Sequence, residues 1–331
     1  MTAVAREPHE AVWELSTAGV AARCLHILAE LGVADRIGGA TVPAAILAAA
    51  CDVDADALDR VLGLAAAHGV FERGPGGYRH TPSSTLLRED HPRSMRAFAR
   101  MMGLPLVWGS LAELERSVRT GRPGLEVLEP KGIWAYLQDR PLEIDVFGRA
   151  MSAKSAADTA AVLGSYDFTP FETIADIGGG RGHLLRGVLD ATPGATGILF
   201  DLPAVIDTLD RGHPRMTATA GDFFVDALPA ADAYLLMEVL HDWADDRCVA
   251  VLDAIRRAAP DDAAVLVVEG VLDAAGPDPR CGTLDVVMLA VTGGRERTAA
   301  QLGELFERAG LALVRVVETA GPMRIVEARP G

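Results

Sequence analysis

The chain has 331 residues, half of them hydrophobic, enough for two domains or for one large core with an appendage. Its 31 Lys and Arg face 46 Asp and Glu, and the resulting charge of −15 repels phosphodiester backbones and anionic lipid, so neither nucleic acid nor membrane is expected as a partner. Four scattered cysteines read as reduced thiols of a cytoplasmic protein, the opening MTAVAREPHEAVWELS reads as no secretion signal, and no apolar run reaches about 18 unbroken residues.

Residues 9–31 predict a helix that is apolar nearly all round (Val12, Leu15, Val20, Leu25, Ile27, Leu28, Leu31) and so wants a partner subunit. TVPAAILAAACDVDADALDRVLGLAAAHGVFERGPGGYRH then predicts a short helix, a turn, a helix ending near Ala67, and two strands joined by GPGG. That order is a winged helix-turn-helix. A recognition helix for the major groove needs basic residues, whereas this one carries Asp54, Asp56 and Asp59 against Arg60; packing or dimerisation is the better use.

From 94 to 163 the pattern is helical, broken at GRPG (121–124), Pro130 and Pro141. From 173 short apolar runs alternate with amphipathic helices: TIADIG, GILFD, TATAGD, AYLLMEVL and AAVLVVEG, then a helix opening at Thr298 and two final strands. Such βα units predict an α/β, doubly wound, mostly parallel sheet with helices on both faces. The division falls between 1–165, helical with a winged helix, and 166–331, the ligand-binding sheet.

The first strand of that sheet leads into DIGGGRGH, where Gly178 and Gly180 let the backbone turn and approach a ligand at a helix N-terminus. A dinucleotide fingerprint fails, because its sixth place is His183, and no Lys follows as a triphosphate loop requires. The second strand ends in Asp201, an acceptor for two ribose hydroxyls, and is followed by Leu202; the third is followed by Asp222 and Phe223, suited to an adenine. A nucleoside without phosphates fits, and S-adenosylmethionine is the expected cofactor. AYLLMEVL then runs into His241, on the same sheet edge, where a neutral imidazole can take a proton from an acceptor hydroxyl. The pKa gap from a phenol is about 3.5 units, roughly 5 kcal/mol, tolerable in a transition state; an aliphatic alcohol is far harder. Glu269 and Glu296 are candidates to orient that imidazole. No histidine follows 241 to complete a ligand set with Asp242, so no metal is expected.

Taken together, DIGGGRG, FDLP (200–203), GDFF (221–224), LHDWADD (240–246) and GGRERT (293–298) resemble the small-molecule O-methyltransferases, which include plant phenolic, acetylserotonin and bacterial antibiotic-tailoring enzymes. The resemblance spans nearly the whole chain. It implies a class I methyltransferase domain of seven strands, an N-terminal winged-helix domain that forms a homodimer, and a small aromatic substrate. It further implies His241 as general base flanked by Glu269 and Glu296. The cofactor set implied is Ser155, Gly178, Gly180, Asp201, Leu202, Asp222, Phe223, Met237 through its backbone, and Trp243. Met151, Asp242 and Met288 would line the acceptor pocket. Plant members often carry Lys where this chain has Met237, and the stretch after Met288 is one residue shorter here. Methylation of an activated ring carbon, and cofactor binding without transfer, remain the alternatives.

Overall fold

Pro8 opens helix α1 (Pro8–Glu30) at a position where its missing N–H has no helical partner to lose. The computed structural model describes residues 7–209, 212–272 and 279–331. Along α1 Val12, Trp13, Leu15 and Val20 are exposed, while His26, Leu28 and Ala29 are buried near its end. Helices α2 (Ala44–Cys51) and α3 (Ala55–Ala67) and the hairpin β1 (Phe71–Gly74)–β2 (Gly77–His80) follow in the expected order. Asp54 caps α3 by accepting the N–H of Ala57. Gly77, at φ +124°, closes the wing where any Cβ would stand 2.2 Å from the carbonyl oxygen of Val42. Leu28, Leu47, Leu62, Phe71 and Tyr78 form the core of this part, and α4 (Arg96–Met102) packs back on α1.

By packing, the chain forms two compact units, the first ending at Leu104 and the second starting at Pro105. The helices between, including α5 (Ile133–Gln138) and α6 (Pro141–Leu163), therefore go with the sheet. The sequence rhythm, which changes only at 173, sets its division at 165.

The second unit is built on β3 (Thr173–Ile177), β4 (Thr196–Asp201), β5 (Met216–Ala220), β6 (Ala233–Met237), β7 (Ala264–Gly270), β8 (Leu311–Glu318) and β9 (Met323–Pro330). Their order across the sheet is β5-β4-β3-β6-β7-β9-β8; the first five are parallel and β9 runs antiparallel to both β7 and β8. The mostly parallel, seven-stranded α/β sheet expected from the sequence is thus present. Helices α7 (His183–Ala191), α8 (Asp245–Ala258), α9 (Pro279–Val291) and α10 (Ala299–Arg308) accompany it. The strand pattern reads as continuous apolar runs because both faces are covered. Ala175, Ile177, Tyr234, Leu236, Val265 and Val267 join Leu252, Ile255, Leu302 and Phe306 in one cluster. Their alternate neighbours Ile174, Leu235, Leu266 and Val268 join Leu185, Val188 and Leu189 in the other.

One strand is shorter than its sequence suggests. AYLLMEVL reads as apolar to Leu240, but β6 stops at Met237: Glu238, whose N–H still donates to Val268 of β7, takes φ +55° and turns the chain out of the strand. The chain then makes a short 3-10 turn, Leu240–Asp242, which carries His241. Helix α9 has no counterpart in the sequence reading; it places Met288. Strand order reverses between β3 and β6, so the crevice at their carboxyl ends is where such a sheet receives a ligand.

Candidate active site

The glycine loop leaves β3 with Gly178, Gly180 and Gly182 all in the left-handed region, at φ 68°, 58° and 70°. At Gly179 an added Cβ would stand 2.4 Å from Asp176, so the loop lies directly on that carboxylate. Over Gly180 there is open space: no atom lies within 4 Å of a built Cβ. Asp201, at the end of β4, accepts the N–H of Gly180 and that of Leu202, each at 2.7 Å, which fixes the loop against the neighbouring strand. Burial pushes Asp201 up to about 6 against those two N–H groups, and pushes Asp176 up to about 7 with help from Asp201. Asp222 accepts the N–H of Phe224 at 2.8 Å, which turns the chain so that Phe223 follows the strand end. A cradle of bare backbone, two acids and an aromatic ring at one sheet edge fits a nucleoside without phosphates.

Trp243 stands at the centre of an aromatic group. Its ring lies 6.0 Å from that of Phe223 and 4.7 Å from that of Phe224, both edge-on, and 6.3 Å from Trp134, stacked at 29°. Arg247 covers Phe224 at 3.3 Å. Trp134, from α5, escaped the sequence reading, since nothing in its surroundings marks it apart from a core indole. Met151 is half-buried on α6, and Met288 is buried on α9, where Thr292 Oγ1 donates to its sulfur at 3.7 Å. Met237 is buried at the end of β6. Ser155 is also buried, and its hydroxyl donates to Glu238 Oε2 at 3.1 Å.

His241 is buried, and its Nδ1 meets Glu296 Oε1 at 2.8 Å. A carboxylate is an acceptor only, so Nδ1 carries a hydrogen, and in the neutral ring the lone pair is on Nε2. Nε2 lies 3.9 Å from Asp242 Oδ1 and makes no hydrogen bond among the described residues. Glu269 is brought to the same place differently: its Oε1 accepts the backbone N–H of His241 at 3.0 Å rather than a ring hydrogen. It therefore holds the turn while Glu296 holds the ring. Burial disfavours the imidazolium, but the Glu296 hydrogen bond and the charges of Asp242, Glu296 and Glu269 outweigh it and raise the His241 pKa. Burial in turn pushes Glu269 up to about 7, against the pull of His241.

A segment far along the chain is stitched to this turn. Arg295 N–H donates to the His241 carbonyl at 2.8 Å, and Glu296 N–H to Asp285 at 2.8 Å. Arg297, fully buried, donates to the carbonyls of Leu240 at 3.1 Å and Trp243 at 2.7 Å and to Asp245 at 2.7 Å. Thr298 and Gln301 form the expected reciprocal capping box, which starts α10 and fixes the chain just after Arg297. Sequence reading missed Arg297; an arginine in a glycine-rich loop gives no sign of burial. Gly294 permits the seam: a Cβ there would stand 1.9 Å from the His241 carbonyl oxygen and 2.7 Å from the Trp243 nitrogen. Because these are backbone atoms, Gly294→Ala should destabilise the second unit by about 3 kcal/mol, the upper end of overpacking costs. Thermal unfolding checks it, and a midpoint equal to the parent's would show that the loop yields freely.

A mostly parallel sheet with a glycine loop at its switch point, an acid ending the neighbouring strand and a carboxylate-held histidine on the same edge has the architecture of a class I methyltransferase. Residues 111–312 match the O-methyltransferase domain and residues 13–90 the O-methyltransferase dimerisation domain. The phenazine O-methyltransferase of Lysobacter antibioticus is 39% identical over 314 residues, 92% of each chain. The mitomycin biosynthesis 6-O-methyltransferase of Streptomyces lavendulae is 34% identical over 99% of this chain and 96% of its own. Among solved structures, an O-methyltransferase from neocarzinostatin biosynthesis, in complex with S-adenosylmethionine and 2-hydroxy-5-methyl naphthoic acid, superposes with a TM-score of 0.83. It is 33% identical and covers 99% of this chain and 100% of that one. The chain belongs to the S-adenosylmethionine-dependent O-methyltransferase family. Its dimerisation domain supports a homodimer, consistent with the exposed apolar residues of α1. No helix among the described residues is long and apolar enough to cross a membrane.

Proposed function

We propose that this chain methylates a phenolic hydroxyl of a small aromatic secondary metabolite, with His241 as the general base. The observation that carries the reading is the buried His241–Glu296 pair, whose hydrogen bond leaves Nε2 as acceptor beside the glycine-loop crevice. Gly178, Gly180, Asp201, Leu202, Asp222, Phe223, Met237, Trp243 and Ser155 hold the cofactor in this reading, and its sulfonium supplies an electrophilic methyl group. His241 Nε2 takes the proton of the acceptor oxygen, Glu296 stabilises the imidazolium that forms, and Glu269 keeps the turn in place. A raised pKa makes His241 a stronger acceptor, narrowing the roughly 5 kcal/mol separating an ordinary imidazole from a phenol. Met151, Asp242 and Met288 line the acceptor pocket. Polarisable thioethers suit a flat aromatic acceptor, and the phenazine, mitomycin and naphthoate proteins named above support that class. The four cysteines form no disulfide among the described residues, which supports a reducing cytoplasm.

The test is incubation with S-adenosylmethionine and a panel of hydroxylated naphthoic acids, phenazines and quinols, followed by mass spectrometry and NMR of the products. At least one aryl hydroxyl should gain one methyl on oxygen. Cofactor binding with no methylated arene, or methyl found on ring carbon, would overturn the reading.

A further inference from the structure

A second charged pair lies buried in the same unit, apart from the His241–Glu296 couple. Lys154, on α6, forms an ion pair with Glu238, and the two side chains are only 9% and 7% exposed. Ser155, next to Lys154, donates to the other oxygen of Glu238 at 3.1 Å. Two costs meet at this residue. A buried ion pair gains little or nothing over well-packed hydrocarbon of the same volume, because desolvating both charges offsets their attraction. Glu238 also takes φ +55°, a conformation that a side chain other than Gly, Asn or Asp rarely adopts. Its place explains why both are kept: Glu238 is the first residue beyond β6, on the carboxyl edge of the sheet, and β6 borders β3 at the switch point.

A further group there lacks a partner. Both ring nitrogens of His183, the first residue of α7 after the glycine loop, are buried and make no hydrogen bond among the described residues. Glu238 stands three residues before His241 and, at the end of β6, beside β3, whose glycine loop leads to His183; its charge acts on both imidazoles. A neutral pair of opposite charges beside an unsatisfied imidazole is the complement of a zwitterion.

We propose that Lys154 and Glu238 form the receptor for the aminoacyl end of the cofactor, Lys154 taking its carboxylate and Glu238 its ammonium. In the free protein the two side chains neutralise each other; with the ligand in place four charges alternate in sign and the cluster stays neutral. Ser155, whose hydroxyl hydrogen goes to Glu238, holds that carboxylate in position and so serves the cofactor through it. The inference rests on the cofactor assignment above and adds to it residues outside the set implied by family resemblance.

The experiment is calorimetric titration of the full chain with S-adenosylhomocysteine and with 5′-methylthioadenosine, which keeps the nucleoside and lacks the aminoacyl chain. Two variants are used: Glu238→Gln, and Lys154→Met combined with Glu238→Met, which removes both charges and leaves none buried alone. Each should weaken S-adenosylhomocysteine by about 30-fold or more, about 2 kcal/mol at 1.4 kcal/mol per tenfold, and 5′-methylthioadenosine by no more than about twofold. Unchanged affinity for S-adenosylhomocysteine overturns the proposal, and so does a parallel loss of both ligands, which would assign the pair to folding. A parent chain that binds neither ligand would sink the cofactor assignment itself, an outcome read before any variant is made.

Discussion

His241→Ala should lower kcat by about 10²- to 10⁴-fold, the range of a positioned general base. S-adenosylhomocysteine should still bind within about threefold, less than 1 kcal/mol, since the hydrogen bonds fixing the glycine loop run to Asp201 and not to His241. The parent's kcat/KM should rise with pH, because only the neutral imidazole accepts a proton. The limb should lie above about 6.5, the ordinary imidazole value, since Glu296, Asp242 and Glu269 together raise the His241 pKa against the effect of burial. Glu296→Gln keeps an acceptor for Nδ1 but removes a negative charge, so that limb should move to lower pH. A structural histidine would move neither the limb nor its position. A His241→Ala enzyme with undiminished turnover on the true substrate would end the assignment of the base.

Arg297→Leu should produce the largest loss of stability. The guanidinium is 1% exposed and supplies hydrogen bonds to Leu240, Trp243 and Asp245 at once. Leucine leaves two carbonyls of the histidine turn without these donors. Each such loss costs about 1–3 kcal/mol, roughly 3–5 kcal/mol for the two, while the half-exposed Asp245 turns to water. At about 2–4 °C per kcal/mol for a unit of this size, the melting midpoint should fall by roughly 10 °C. Arg297→Lys keeps the charge but not the planar fork, so it should recover only part of that loss. Activity should fall even below the transition, because the same stitches hold His241 against Glu296. A midpoint within about 2 °C of the parent's, less than the shift for 1 kcal/mol, would show that Arg295, Glu296 and the capping box hold the seam alone.

Local chemistry made much of this molecule legible in one dimension. Apolar runs such as AVLVVEG predicted buried strands, because a residue in a parallel sheet covered on both faces meets hydrocarbon whichever way it points. Thr298 and Gln301 predicted a helix start from four consecutive residues, and Asp201 could be placed from the strand it ends. His241 stood out because a polar cluster cannot continue an apolar strand.

The order of elements apart from α9, the sheet class and the acids and glycines at strand ends were therefore readable from the residues alone, since each depends on neighbours a few positions away. Which groups meet became visible once the chain was packed. Packing assigned Glu296 to the ring of His241 and Glu269 to its backbone, although both are carboxylates close to strand or helix ends. It buried Arg297, paired Lys154 with Glu238, and ended β6 at Met237. The physical reason is the same in each case: burial, a left-handed backbone and the choice of a charge partner are set by groups distant in the chain, which no local pattern encodes.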